Sequence, residues 1–169
     1  MRLFIAIRFN SELIDSIESI TNQLINLGVR GRRTKTSNIH LTLAFIGECE
    51  TPDTLINVLD NIESKHFNLT LNKCSHFKDT VWIGTNIPTE LTALTKQLTL
   101  QLQANGYEVP NRDFIPHITL FRKASNYEHV LDRIAIANTI QKVESISLMK
   151  STLTNSGTIY EEIYTKHLN

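Results

Sequence analysis

A length of 169 residues, with 41% hydrophobic and 20% charged residues, suits one folded domain and excludes the class of disordered chains. The 17 basic and 17 acidic residues balance, which argues against a strongly basic nucleic-acid coat protein. No stretch approaches the roughly 18 uninterrupted apolar residues of a membrane span, and the apolar run Leu3 to Ile7 is too short for a signal peptide. We expect one domain over residues 1–169, in the cytoplasm and away from membranes.

The first half of the chain predicts alternating strands and helices. Arg2 to Phe9 predicts a strand, and apolar residues at helical spacing then predict an amphipathic helix that ends at Gly28. A basic loop follows, and the apolar run Ile39 to Ile46 predicts the next strand. Thr51 to Ile62 predicts a second helix, and alternating apolar residues from 67 to 71 predict another strand.

The same order returns in the second half. Thr80 to Thr85 predicts a strand, Pro88 begins a helix that Gly106 ends, and a loop leads to a second apolar strand. The remaining chain predicts a helix and two strands, at about Tyr127 to Ala137, Val143 to Met149 and Thr158 to Thr165. We expect this tail to complete the sheets.

The two halves also match in spacing. Phe4 lies 36 residues before His40, and Trp82 lies 35 residues before His117. Such self-similarity indicates an internal duplication of residues about 1–50 and 78–124. Two repeated units indicate a pair of similar lobes rather than a solenoid, because a solenoid needs at least three units. We predict an α+β fold of two pseudo-symmetric lobes of mostly antiparallel sheet, with outer helices and a central cleft.

The motif His-[Ile/Leu]-Thr-Leu occurs in both apolar strands, beginning at His40 and His117. Residues i and i+2 of a strand share a face, so Thr42 lies beside His40, and Thr119 lies beside His117, in the predicted cleft. A single His-x-Thr is usually an ordinary piece of strand. Its repetition at matched spacing favours a functional site.

These residue types suit the hydrolysis of a phosphate diester. The reaction needs a base to take a proton from water and an acid to protonate the departing oxygen, and a pKa of about 6.5 suits histidine to both roles. The threonine hydroxyls can donate hydrogen bonds to the non-bridging phosphate oxygens. The sequence therefore predicts one proton carrier and one phosphate donor in each half, and no metal site is evident in it.

Basic residues cluster near both motifs. Arg30 to Gly47 contains four basic residues and no acidic one, and Val109 to Lys123 contains three basic residues and one acidic one. This distribution indicates a local anion site, although charged residues on solvated loops are the commoner explanation for such windows.

Three segments resemble the RNA 2',3'-cyclic phosphodiesterases of the two-histidine (2H) phosphoesterase superfamily, historically called 2'-5' RNA ligases. They are Arg-Leu-Phe-Ile-Ala-Ile from Arg2, the segment Asn38 to Glu48, and the segment Arg112 to Arg122. The resemblance covers nearly the whole chain and weakens after about Ser125. It implies an enzyme that opens cyclic phosphates of RNA ends or nucleosides to 2'-phosphates, without a metal or a cofactor. We expect this enzyme to be a monomer.

The resemblance also implies roles for individual residues. His40 is the expected proton donor and His117 the expected proton acceptor, with Thr42, Thr119 and Arg122 as phosphate-binding residues. Arg122 lies five positions beyond His117, so an unbroken strand would turn it toward the core. It reaches the cleft only if the strand ends or bulges first.

Residues that would stack on a base are less well defined. Relatives commonly carry an aromatic or apolar residue where this chain has Arg33, although an arginine plane can also stack on a base. Phe9, Phe45, Phe121 and Tyr107 are further candidates, but apolar residues of strands more often belong to the core.

Other functions stay open at this stage. A 2'-5' RNA ligase, or an esterase for small cyclic phosphates or 2',5'-linked oligonucleotides, would use the same residues. A non-catalytic RNA-binding module would use the basic windows alone, and the presence of both complete motifs argues against it.

Overall fold

The computed structural model describes all 169 residues, which form nine strands and three helices. In chain order the elements are β1 (Arg2–Ile7), α1 (Ser11–Asn26), β2 (Arg30–Arg33), β3 (Leu41–Glu48), α2 (Asp53–Asp60), β4 (Phe67–Phe77), β5 (Thr80–Thr85), α3 (Thr89–Ala104), β6 (His117–Ser125), β7 (Ile140–Val143), β8 (Ser145–Thr154) and β9 (Gly157–His167). Single 3-10 turns lie at Thr36–Asn38 and Leu131–Arg133.

The strands form two antiparallel sheets. The first sheet has the strand order β3-β1-β8-β9, and the second has the order β2-β6-β5-β4-β7. In the first sheet, β3 contacts α3 and β9 contacts α2, and a core of 35 buried apolar residues includes side chains from both sheets. The predicted α+β fold of two mostly antiparallel lobes is confirmed. None of the helices has the length and apolarity needed to cross a membrane.

Helix α1 follows directly from its sequence. The Asn10 side chain caps its start by accepting the N–H of Leu13 at 2.9 Å. Gly28, whose φ is +100°, follows the last turn as predicted. The face at helical spacing is at most 1% exposed, at Leu13, Ile17, Ile20 and Leu24. Burial of this stripe fixes the helix against the core.

The predicted basic loop is wrong, because residues Arg30–Arg33 form the edge strand β2. All four residues are exposed, so they show no apolar alternation that would reveal a strand. The strand exists because it pairs with β6, with Arg33 opposite Phe121. A strand from the first half of the chain thus joins the second sheet, whereas β8 and β9 from the end of the chain complete the first.

The predicted tail helix, Tyr127 to Ala137, is also wrong, since only Leu131–Arg133 forms a helical turn there. The Gln23 side chain of α1 binds both backbone groups of Ala135: its amide donates to the carbonyl at 2.8 Å, and its oxygen accepts the N–H at 2.8 Å. The backbone N–H and carbonyl of Ala135 are therefore satisfied without the hydrogen bonds of a helix. The two predicted tail strands are present as β8 and β9, and β7 was not predicted.

Candidate active site

A cleft of about 880 Å³ lies between the two sheets and contains both predicted motifs. The first sheet, together with the residue just before β3, contributes His40, Thr42, Phe45, Phe4 and Tyr160. The second sheet contributes His117, Thr119, Arg122 and Phe77. The prediction of one central cleft that carries both His-x-Thr motifs is confirmed.

His40 lies immediately before β3, and hydrogen bonds fix its ring. Its Nδ1 lies 2.7 Å from the carbonyl oxygen of Asn38, and its Nε2 lies 2.8 Å from Oγ1 of Thr42. A carbonyl oxygen only accepts, so Nδ1 carries a hydrogen and Nε2 is the atom that gains or loses a proton. His40 therefore exchanges its proton at Nε2, the ring nitrogen beside the Thr42 hydroxyl.

His117 is held in the same way at the start of β6. Its Nδ1 lies 2.8 Å from the carbonyl oxygen of Ile115, two residues earlier, as Asn38 is for His40. Its Nε2 makes no hydrogen bond to the protein, and neither does the hydroxyl of Thr119. The second motif therefore presents a free Nε2 and a free hydroxyl to the cleft.

Two aromatic rings enclose the imidazole of His40. The ring centroid of Phe4 lies 5.0 Å away, and that of Tyr160 lies 5.1 Å away with its plane at 89° to the imidazole. Phe4 and Tyr160 also contact each other edge to face, with centroids 4.9 Å apart. The pair restricts the orientation of the imidazole and lowers the local dielectric constant.

His117 has an equivalent enclosure. Phe77 lies 5.1 Å from its ring at 81°, and Trp82 lies 5.9 Å away. Phe77 and Tyr160 were not among the predicted site residues. Neither lies on a strand that pairs with a motif strand, so their positions depend on the strand order of the sheets, which one sequence does not reveal. Apolar and polar residues do not alternate around either position, so no local signal marks these two rings.

A β-bulge lies at the last residue of each motif. On one sheet Ile5 and Ala6 pair with Ala44 and Thr42, and on the other Val81 and Trp82 pair with Phe121 and Thr119. Leu43 and Leu120 are thus extra residues in their strands, and each bulge inverts the alternation beyond it. For this reason Phe45 and Arg122, each five residues after a histidine, line the cleft. Arg122 was predicted to reach the cleft only if its strand ended or bulged first, and the bulge at Leu120 meets that condition.

The pKa of His40 is lowered from its ordinary value. Burial is the main cause, because it penalises the imidazolium. The hydrogen bond to the Asn38 carbonyl acts in the opposite direction, and the charges of Arg122 and His117 lower the pKa further. These charges act across the cleft, so both motifs and the guanidinium belong to one electrostatic site.

The candidates for base stacking differ in position. Phe45 is 66% exposed and lines the cleft, whereas Phe121 is 2% exposed and belongs to the core. Phe9 and Tyr107 are half-buried and pack against the core. Arg33 forms an ion pair with a glutamate of α1. Of these five residues, Phe45 is the one that the cleft exposes to a ligand.

No group of three or more His, Cys, Asp or Glu side chains is arranged to hold a metal ion. Reaction without a metal or a cofactor stays a prediction, which a chelator can test.

Two antiparallel sheets with a His-x-Thr pair on each wall of one cleft define a two-histidine phosphoesterase. The chain belongs to the family described as LigT-like phosphoesterases, which matches it twice, at residues 7–85 and 81–160. The family predicted from the sequence is thus confirmed.

Named relatives agree with this family. An RNA 2',3'-cyclic phosphodiesterase of Thermotoga maritima is 28% identical over 97% of this chain and 94% of its own length. One of Escherichia coli is 38% identical over 56% of this chain and 57% of its own. The crystal structure of E. coli LigT complexed with 3'-AMP has a TM-score of 0.86 and 30% identity, over 99% of this chain and 97% of that one.

Proposed function

We propose that this protein hydrolyses the 2',3'-cyclic phosphate at RNA ends to a 2'-phosphate. The observation that carries the proposal is the pair of histidines, each with a threonine two residues later, on opposite walls of one cleft. Relatives that span nearly the whole chain are named RNA 2',3'-cyclic phosphodiesterases, and a similar structure is complexed with a nucleotide.

In the proposed reaction, His117 is the proton acceptor. Its Nδ1 donates to a carbonyl, so the neutral ring has a lone pair on Nε2, and that atom has no partner in the protein. His117 removes a proton from water while the water oxygen attacks phosphorus. The bond from phosphorus to O3' breaks, and His40 supplies the proton that O3' takes up.

The lowered pKa of His40 must be reconciled with its role as donor. Burial favours the neutral ring in the free protein, whereas a donor must be protonated. A phosphate anion bound beside Nε2 opposes the effect of burial, because an opposite charge at hydrogen-bond distance stabilises the imidazolium. We infer that His40 takes up its proton together with the substrate.

Thr42, Thr119 and Arg122 bind the phosphate in this proposal. The Thr42 hydroxyl lies 2.8 Å from Nε2 of His40, and Thr119 lines the same cleft two residues after His117, so both hydroxyls are placed to donate to non-bridging oxygens. Thr42 exchanges its bond to His40 for one to the substrate. The exposed guanidinium of Arg122 forms no ion pair with a protein carboxylate, so it is available to a phosphate oxygen.

We also propose that residues 1–169 form one domain that arose by duplication of about 1–50 and 78–124, and that it works as a cytoplasmic monomer. The double match of the family and the shared core support a single duplicated domain. Gel filtration with light scattering would test the monomer.

The direct test is turnover of adenosine 2',3'-cyclic phosphate in EDTA, followed by phosphorus NMR. We expect 2'-AMP from the wild type and none from the double variant His40→Ala/His117→Ala. A 3'-phosphate product would show that O2' rather than O3' lies beside the acid, and would overturn the proposed seating of the ribose. Ligation of RNA ends in large excess over hydrolysis would favour the ligase, and RNA binding without any turnover would favour the binding module.

A further inference from the structure

Two arginines from different halves of the chain lie opposite each other in the second sheet. Arg32 of β2 pairs directly with Arg122 of β6. Directly opposed residues of an antiparallel pair share a face, with Cβ atoms about 5 Å apart. Thr34, two residues after Arg32, lines the cleft beside Arg122 and continues the ladder by donating its N–H to the carbonyl of Leu120.

The neighbouring Arg33 points the other way. It lies opposite the buried Phe121 and forms an ion pair with Glu18 on α1. Alternation along β2 therefore places Arg33 on the helix side and Arg32 on the cleft side of the sheet.

The two opposed guanidiniums have no acidic partner. Neither Arg32 nor Arg122 forms a salt bridge or a side-chain hydrogen bond within the protein, in contrast to Arg33. Like charges directly opposite in a sheet are destabilising, so an anion bound between them would relieve their repulsion. The pair is thus suited to phosphate groups.

Gly31 makes this pairing possible. A Cβ at this position would lie 2.9 Å from the Ala124 Cα and 2.9 Å from the Arg122 carbonyl oxygen. The backbone φ of +150° is also one that side-chain-bearing residues rarely adopt. The glycine therefore permits β2 to approach β6 closely enough for Arg32 to lie beside Arg122.

We propose that Arg32 binds the phosphodiester on the 5' side of the terminal nucleotide, while Arg122 binds the reacting phosphate. This inference rests on the proposed function. Successive phosphates of an RNA strand would contact neighbouring guanidiniums of one sheet face, and the free hydroxyl of Thr34 lies on the same face. The site then prefers an RNA chain to a mononucleoside cyclic phosphate.

Three substrates test the subsite: adenosine 2',3'-cyclic phosphate, the same compound with a 5'-phosphate, and the dinucleotide ApA with a terminal 2',3'-cyclic phosphate. The second adds a phosphate without a second base, so it separates phosphate recognition from stacking. We expect the wild type to prefer the second and third by kcat/KM. Arg32→Ala should lower this preference roughly ten-fold, mainly through KM, as the loss of one charge-assisted contact.

Arg33→Ala is the matched control, because it removes an equal charge from the adjacent position on the opposite face. It should keep the wild-type preference, and thermal melting should show that both variants are folded. A folded Arg32→Ala protein with an unchanged preference would overturn the subsite, as would a wild type that treats all three substrates alike. A wild type that hydrolyses none of them would instead overturn the proposed function itself.

Discussion

Replacement of Gly84 by alanine should disturb the part of the site around His117. Gly84 lies on β5 directly opposite His117. An added Cβ would lie 2.7 Å from Oδ1 of Asn72 and 3.2 Å from Cζ3 of Trp82, closer than packed atoms tolerate. The Asn72 amide is held by the Thr85 carbonyl at 2.9 Å, so it yields only by losing that bond. A displaced Trp82 ring would press on Phe77 and His117, whose ring centroids lie 4.9 Å and 5.9 Å from it.

The expected magnitude follows from overpacking, which typically costs about 1–3 kcal/mol. For a chain of this size, about 2–4 °C of melting temperature is lost per kcal/mol, so Gly84→Ala should melt roughly 2–12 °C lower. Because a shift of the order of 1 Å in a catalytic group lowers rates by roughly 100-fold, kcat should fall even where the protein stays folded.

A second substitution tests whether the contact with Asn72 causes the damage. Asn72→Ser removes the atom in the closest contact, so the double variant Gly84→Ala/Asn72→Ser should be more stable than the sum of the single effects by about 0.5–3 kcal/mol. Calorimetric melting and kcat on adenosine 2',3'-cyclic phosphate are the measurements. Strictly additive melting shifts, or a fully active Gly84→Ala protein, would refute the proposed link between Gly84 and His117.

Further predictions concern the motif residues themselves. His40→Ala and His117→Ala should each lower the rate by roughly 10² to 10⁴, with a double variant far less than multiplicatively worse, and wild-type activity in either would refute the assignment. Thr42→Ala and Thr119→Ala should raise the barrier by a few kcal/mol at most, so a larger loss than at a histidine would contradict their roles. NMR titration should place the pKa of His40 below its ordinary value, and Arg122→Gln should raise that pKa, because a removed cation no longer opposes the imidazolium. Activity should survive EDTA, and inactivation reversed by a divalent ion would disprove the metal-free mechanism.

The sequence alone predicts the elements whose local residue pattern matches their structure. The apolar strands that carry His40 and His117, the helices between them and the glycine after α1 all follow from periodicity and capping. Both histidines reach one cleft because the two motif strands turn the same face toward it. The prediction failed at β2, whose exposed arginines form a strand only through an edge partner far along the chain.

The rest of the site depends on register, which a single sequence does not encode. Strand alternation alone placed Arg122 on the core face, and a bulge at Leu120 reverses that result. Tyr160 and Phe77 lie beside the histidines because β9 and β4 join sheets whose strand order is not the chain order. Pairing between distant strands thus decides which side chains lie beside the two histidines.

The surroundings of the two motifs give a physical reason for the proposed roles of the histidines. In an in-line displacement, water attacks phosphorus on the side opposite to the departing oxygen, and both O2' and O3' belong to the ribose. The nucleoside must therefore lie on the side of the acid. Phe45, the exposed ring that the first bulge turns into the cleft, lies 6.3 Å from Phe4, which contacts His40.

The equivalent position beside His117 is Arg122, which suits phosphate oxygens and offers no apolar surface. A nucleoside that packs on Phe45 would leave the opposite face of the phosphorus open to water beside the free Nε2 of His117. The difference between Phe45 and Arg122, each five residues after its histidine, therefore favours His40 as the acid. Because O2' and O3' both lie on that side, the contact of the ribose with Phe45, rather than the histidines, selects which of the two oxygens leaves.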